Sequence, residues 1–162
     1  MADFGSFGMT ENGRWAVRFE RVFAHPRTKV WRSLTETDQL RHWFVDILDY
    51  DRTRFSIEPG AQLVFVAKTG GDPTFGEVRA VDPPRLLEYS WGEEILRWEL
   101  DDLGAESCRL TFVNEFPDRD SAPGLGAGWH VGLDRLHQHL TGTAHPQSTW
   151  DQLTEHYAQA FG

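Results

Sequence analysis

Between Asp120 and Leu140 the bulky apolar residues Leu125, Trp129, Leu133, Leu136 and Leu140 recur at intervals of four, four, three and four. That spacing winds all five onto one face of a single long helix and does not suit a strand, whose faces alternate at every second residue. A helix with so long an apolar face needs a broad partner to cover it. The chain ahead of it supplies one, because between Arg14 and Phe116 short alternating segments are separated by turn residues. The economical architecture is a curved sheet laid against one long helix.

The first strand is expected from Arg14 to about Ala24, where Trp15, Val17 and Phe19 alternate with Ala16, Arg18 and Glu20. Pro26 suits the first turn of a helix carrying Val30, Trp31 and Leu34 on its apolar side. Thr35-Glu36-Thr37-Asp38 reads as a capping box opening a second short helix, with Leu40, Trp43 and Phe44 buried. Further strands are expected at 54–58, 61–68, 74–81, 86–91, 94–102 and 107–116, joined by Pro59-Gly60, Gly70 to Pro73, Asp82-Pro83-Pro84, Gly92 and Leu103-Gly104-Ala105. Connections this short imply antiparallel neighbours.

Residue parity then assigns the faces. Leu63, Phe65 and Ala67, Leu87, Tyr89 and Trp91, Leu96, Trp98 and Leu100, and Cys108 through Phe116 by twos belong to the inner face. Glu88, Arg97, Glu99, Arg109 and Glu115 face water, while 74–81 alternates too poorly for assignment. The domain is expected over 14–142, with 1–13 a flexible Gly-rich lead. A last amphipathic helix within 143–162, capped by Ser148 and carrying Trp150, Leu153, Tyr157 and Phe161, is expected to dock on the body.

A chain of 162 residues with a formal charge of −9 and no run of Lys or Arg would be repelled by nucleic-acid phosphates and by anionic membrane surfaces. Neither is expected as a partner. No apolar run approaches the roughly 20 residues of a membrane span, and the N-terminal sequence lacks a signal-peptide layout, so a cytoplasmic protein is expected. Eleven Phe and seven Trp either fill a core or line a cavity.

The segment Arg21 to Phe44, RVFAHPRTKVWRSLTETDQLRHWF, resembles the opening of bacterial proteins related to the activator of heat-shock protein 90 ATPase. The resemblance continues through Gly60 to Phe65 (GAQLVF), Gly76 to Trp91 (GEVRAVDPPRLLEYSW) and the Gly128-Trp129 pair leading to Leu133 and Leu136. It implies an α+β helix-grip fold of the START-like, pollen-allergen-like superfamily, called SRPBCC, in which a curved antiparallel sheet wraps a long C-terminal helix. It also implies a cavity that binds a small, mostly apolar molecule. A protein-interaction role resembling a co-chaperone, and a cyclase or hydrolase acting in the same cavity, are the alternatives it leaves.

On that fold Trp43, Phe65, Tyr89, Trp91, Trp98, Phe112, Trp129 and Leu133 are expected to line the cavity, with Asn114 as the polar handle. The competing reading of the same rings is a filled core. His130 and Asp134, one turn apart, could form an acid–base pair if they faced inward, but their place at the shoulder of the helix's apolar stripe favours a solvated pair. His137 and His139 point to different sides and no Cys, Asp or Glu completes a metal set, so neither metal nor cofactor is expected. Cys108 reads as a buried, inert thiol. No serine sits in a nucleophile elbow, and Gly124 to Gly128 fit a flexible helix entrance or a close approach to the sheet rather than a phosphate loop.

Overall fold

In the computed structural model, which describes residues 4–142 and 149–162, the strands form one seven-stranded antiparallel sheet. They are β1 (Ser6–Met9), β2 (Trp15–Phe23), β3 (Gln62–Phe65), β4 (Thr74–Asp82), β5 (Leu86–Trp91), β6 (Glu94–Gly104) and β7 (Ser107–Phe116), in the order β1-β2-β7-β6-β5-β4-β3. Helices α1 (Arg27–Thr35) and α2 (Thr37–Leu40) follow β2, and α3 (Ala122–Thr141) and α4 (Trp150–Phe161) follow β7. This is the α+β helix-grip arrangement.

Strand pairing aligns the expected inner face into rows. Val78, Tyr89, Leu96, Asn114 and Val17 stand side by side across β4, β5, β6, β7 and β2, and Leu87, Trp98, Phe112 and Phe19 form the next row. Every one of them is at most 1% exposed. On the outer face Arg97 donates to Glu88 and Glu99, each at 3.0 Å. A register shift between Val78 and Ala80 explains why β4 alternates poorly in sequence, since a bulge resets the period of two.

The sheet's rings meet α3 directly. Trp98 stacks on Phe112 at 3.9 Å and meets Trp43 and Trp129 edge-on at 5.8 and 5.9 Å. Leu133 and Leu136 are fully buried beneath them, each contributing about 1.5–3 kcal/mol by removal from water.

Four local expectations are corrected. Residues 6–9, read as part of a flexible lead, pair with β2 from Ser6↔Arg18 to Met9↔Trp15, and Phe7 is held between Trp15 and Phe161 at 5.3 and 5.0 Å. Residues 1–3 lie outside the described residues. The capping box at Thr35 does not form, because Thr35 ends α1 and donates back to Trp31 O at 2.9 Å, leaving Glu36 as the cap of α2 without a side-chain bond. The strand expected at 54–58 reduces to a single bridge, Arg54↔Val64. Past it the chain lifts to bury Phe55 against Tyr89 at 5.2 Å instead of continuing a ladder. Ser148 lies outside the described residues, and α4 is capped by Thr149, whose hydroxyl accepts from Gln152 N while Gln152 Oε1 accepts from Thr149 N.

Helix α4 packs on α3 through Leu153 and Tyr157, and Trp150, expected on the same buried face, is 51% exposed. The lack of a side chain at Gly126 admits this helix: a Cβ there would lie 3.2 Å from both Tyr157 and Phe161.

Candidate functional site

After α2 the chain turns back beside α3 through Trp43, Phe44, Val45 and Asp46. Trp43 fixes that turn by donating from Nε1 to Ser33 O at 2.8 Å. Between this segment, one side of α3 and the head of α4 runs an open groove of about 420 Å³, within the usual size of small-molecule sites, roughly 300–1,000 Å³. Its walls are Trp43, Phe44, Trp129 and Trp150, and Arg135 and Asp46 stand at one end.

The helical side of the groove is smooth because Gly124, Gly128 and Gly132 succeed one another at single-turn spacing. A Cβ added at these positions would meet Trp150 at 3.8 and 3.9 Å and Trp43 O at 3.8 Å, ordinary contacts with room to spare. Packing does not demand glycine here, although each one costs the helix about 1 kcal/mol relative to alanine. The demand at Gly126, two residues from Gly124, comes from α4.

Trp129 is held in place from behind. Its Nε1 donates to Asn114 Oδ1 at 2.9 Å, and Asn114 Nδ2 donates to Glu94 Oε1 at 3.0 Å. Burial pushes the Glu94 carboxyl up from its ordinary value, against the Asn114 hydrogen bond and the Arg14 charge, which lower it. Glu94 also lines a second opening of about 400 Å³, with Trp91, Phe116 and Leu125 among its walls. Leu125 belongs to both openings.

His130 and Asp134 are not solvated: they are 5% and 4% exposed. Arg21 of β2 donates to Asp134 Oδ1 at 2.8 Å, and His130 Nε2 lies 3.5 Å from Asp134 Oδ2. His130 Nδ1 meets the Tyr157 hydroxyl at 2.8 Å, and that oxygen accepts from Gly5 N at 2.8 Å. With Gly5 donating, the phenolic proton is available to Nδ1, which leaves the Nε2 proton facing the carboxylate. The shoulder of α3 that periodicity assigned to water is covered by α4 and β2.

The structure divides the sequence-predicted cavity residues. Trp43 and Trp129 line the 420 Å³ groove, and Trp91 lines the second opening while stacking on Phe65 at 4.1 Å. Phe65, Tyr89, Trp98, Phe112 and Leu133 fill the space between sheet and helix, and Asn114 acts by holding Trp129. Sequence reasoning missed Phe44, Arg135, Trp150 and the glycine stripe as groove residues. The four-residue spacing of those glycines was the signal that could have found them. Cys108 is fully buried, and burial pushes its thiol up to about 11. Among the described residues no group of three or more His, Cys, Asp and Glu side chains is placed to hold a metal ion, and no helix is long and apolar enough to cross a membrane.

A family model described as Activator of Hsp90 ATPase homolog 1-like protein matches residues 24–141. The chain belongs to this family. The matched span begins just after β2 and ends with α3, so β1, β2 and α4 lie outside it. All three nevertheless fall within wider structural matches. A conserved protein of unknown function from Enterococcus faecalis is similar at 22% identity and TM-score 0.79, over 96% of this chain and 89% of that one. CalU16 from Micromonospora echinospora is similar at 18% identity and TM-score 0.75, over 99% and 96%. DynU16, described as a protein in the dynemicin biosynthetic locus, is similar at 27% identity and TM-score 0.63, over 78% of this chain and 47% of that one. Comparison with curated proteins found no significant match.

Proposed function

We propose that the protein binds a small, mostly apolar molecule in the groove beside α3. The observation that carries the reading is the stripe Gly124, Gly128 and Gly132, which keeps the groove clear at a cost in helix propensity that internal packing does not require. Trp150, Leu125 and Val131, with the exposed edges of Phe44 and Trp129, supply apolar area, worth about 25 cal/mol for each Å² removed from water. The fold family and the biosynthetic-locus setting of DynU16 agree with a small-molecule role.

A catalytic reading needs titratable groups converging on the ligand. Those that converge here, Arg21, His130, Asp134 and Tyr157, are at most 5% exposed and none of them lines the groove. The co-chaperone reading draws on the family's name, and most large exposed apolar residues, such as Met9, Val22, Phe75 and Leu103, come from separate elements.

Native mass spectrometry of freshly purified protein, compared with the same sample denatured, is the direct test: an adduct present only in the native spectrum is expected. Gly128→Leu fills the groove from its floor and should abolish the adduct while the far-ultraviolet circular dichroism stays unchanged. An adduct that persists in this variant places the ligand elsewhere.

A further inference from the structure

We propose that the occupant of the groove is an apolar acid, whose body lies against Phe44, Trp129 and Trp150 and whose carboxylate is received by the Arg135 guanidinium. This rests on the groove being the binding site and adds the chemistry of what enters it.

Arg135 and Asp46 are the charged residues lining the groove, so the sign of the ligand is decided between them. They are 4.0 Å apart, beyond hydrogen-bonding distance. Their surroundings differ. The Asp46 side chain is 71% exposed on the link after α2, where water solvates its carboxylate, and it loses little by turning away. The Arg135 side chain is 36% exposed, projects from the rigid α3 and makes no hydrogen bond among the described residues. A half-covered guanidinium with unused donors, at the end of an apolar trough, is matched by a carboxylate, which it can take in a planar, two-bond fork.

Trp150 bounds the other end of the trough. The indole Nε1 edge of Trp150 lies over Gly128, 3.9 Å from where a Cβ would stand, and so opens onto the groove. Gly128 and Arg135 are seven residues apart on α3, about 10 Å along the helix axis. An aromatic body laid along the trough between them can place its acid at Arg135.

Isothermal titration calorimetry on the full chain tests this with an isosteric set: 2-naphthoate, 2-naphthamide and 2-naphthylmethylammonium, with neutral naphthalene as a control for apolar binding alone. The acid should bind about tenfold more tightly than the amide. Arg135→Gln should bring the acid down to the amide's level, Arg135→Lys should keep part of the preference, and Asp46→Asn should strengthen the acid. Thermal unfolding of each variant checks that the fold is intact, and the lysine variant serves if the glutamine one is unstable. The proposal is overturned if acid and amide bind equally, if the ammonium binds best, or if the acid preference survives in Arg135→Gln. Binding of naphthalene alone would overturn the acid reading and leave the groove standing, whereas no binding by any probe would sink both.

Discussion

The two shoulders of α3 begin from similar material and end differently. One carries Gly126, His130 and Asp134, and the other carries Gly124, Gly128, Gly132 and Arg135. On the first, α4 drives Tyr157 and Phe161 into the space Gly126 leaves, and β2 sends Arg21 to Asp134 at 2.8 Å. On the second, the space the glycines leave stays open beneath Trp150, and the charged residue is paired only at 4.0 Å. The same residue type therefore has two outcomes: at Gly126 a neighbour fills the space it leaves, and at Gly128 the space stays open. Which of the two applies depends on the element across from it and not on the helix itself.

The largest expected effect lies on the closed shoulder. Asp134→Ala removes the carboxylate that accepts from the buried Arg21 guanidinium at 2.8 Å and should cost about 3–5 kcal/mol, read from urea unfolding. An unchanged midpoint would mean that packing alone closes this side. Gly126→Ala comes next, because its Cβ presses on two rings of α4; overpacking of about 1–3 kcal/mol set against about 1 kcal/mol of helix propensity leaves a net loss of up to about 2 kcal/mol in the same assay. Gly128→Ala should move the other way, raising stability by up to about 1 kcal/mol while weakening 2-naphthoate binding. If Gly126→Ala and Gly128→Ala shift stability in the same direction, the contrast between the shoulders fails.

The smallest effect concerns the far end of the open shoulder, where His139 stacks on His42 at 5.0 Å and Nε2 meets Gln39 Oε1 at 2.7 Å. Burial, then the charges of His42 and Lys29, lowers its pKa below the ordinary 6.5. Folded and unfolded chains are then both neutral at His139 well above that value. Below it the unfolded chain takes the proton first, so the contribution to stability present above about pH 6.5 is lost as pH falls through the folded value. His139→Asn should flatten the stability–pH slope between about pH 7 and 5, which denaturant titrations at stepped pH would record.

Much of the fold could be read in advance because its information is local. Strict alternation from Ser107 to Phe116 and the four-four-three-four spacing of α3 each need only a short window. The β1 segment reads as a flexible lead, although Asn12-Gly13 before Arg14, where Gly13 adopts φ 78°, is a hairpin signal that could have found it. The shoulders of α3 were not legible. His130 and Asp134 lie one residue off the apolar stripe, and a helix alone gives no sign that Arg21, a hundred residues upstream, will reach them. Other groove residues were hidden for the same reason: Phe44 has the periodicity of a core residue, and only the docking of Trp150 beyond it defines a space. Strand 54–58 failed because burial of the Phe55 ring outweighed an edge ladder that the local pattern favoured.

Trp43, Trp98 and Trp129 cross at 85° and 82° with centroids 5.8 and 5.9 Å apart, and of these three indoles Trp129 reaches the groove while Trp43 and Trp98 are buried. Chromophores so close and so steeply inclined exchange excitation and rotate ultraviolet light as one asymmetric unit. Occupation of the groove disturbs Trp129 while Trp98 stays fixed against Phe112. The near-ultraviolet circular dichroism of the unlabelled protein thus becomes an optical gauge of whether the groove is empty or filled.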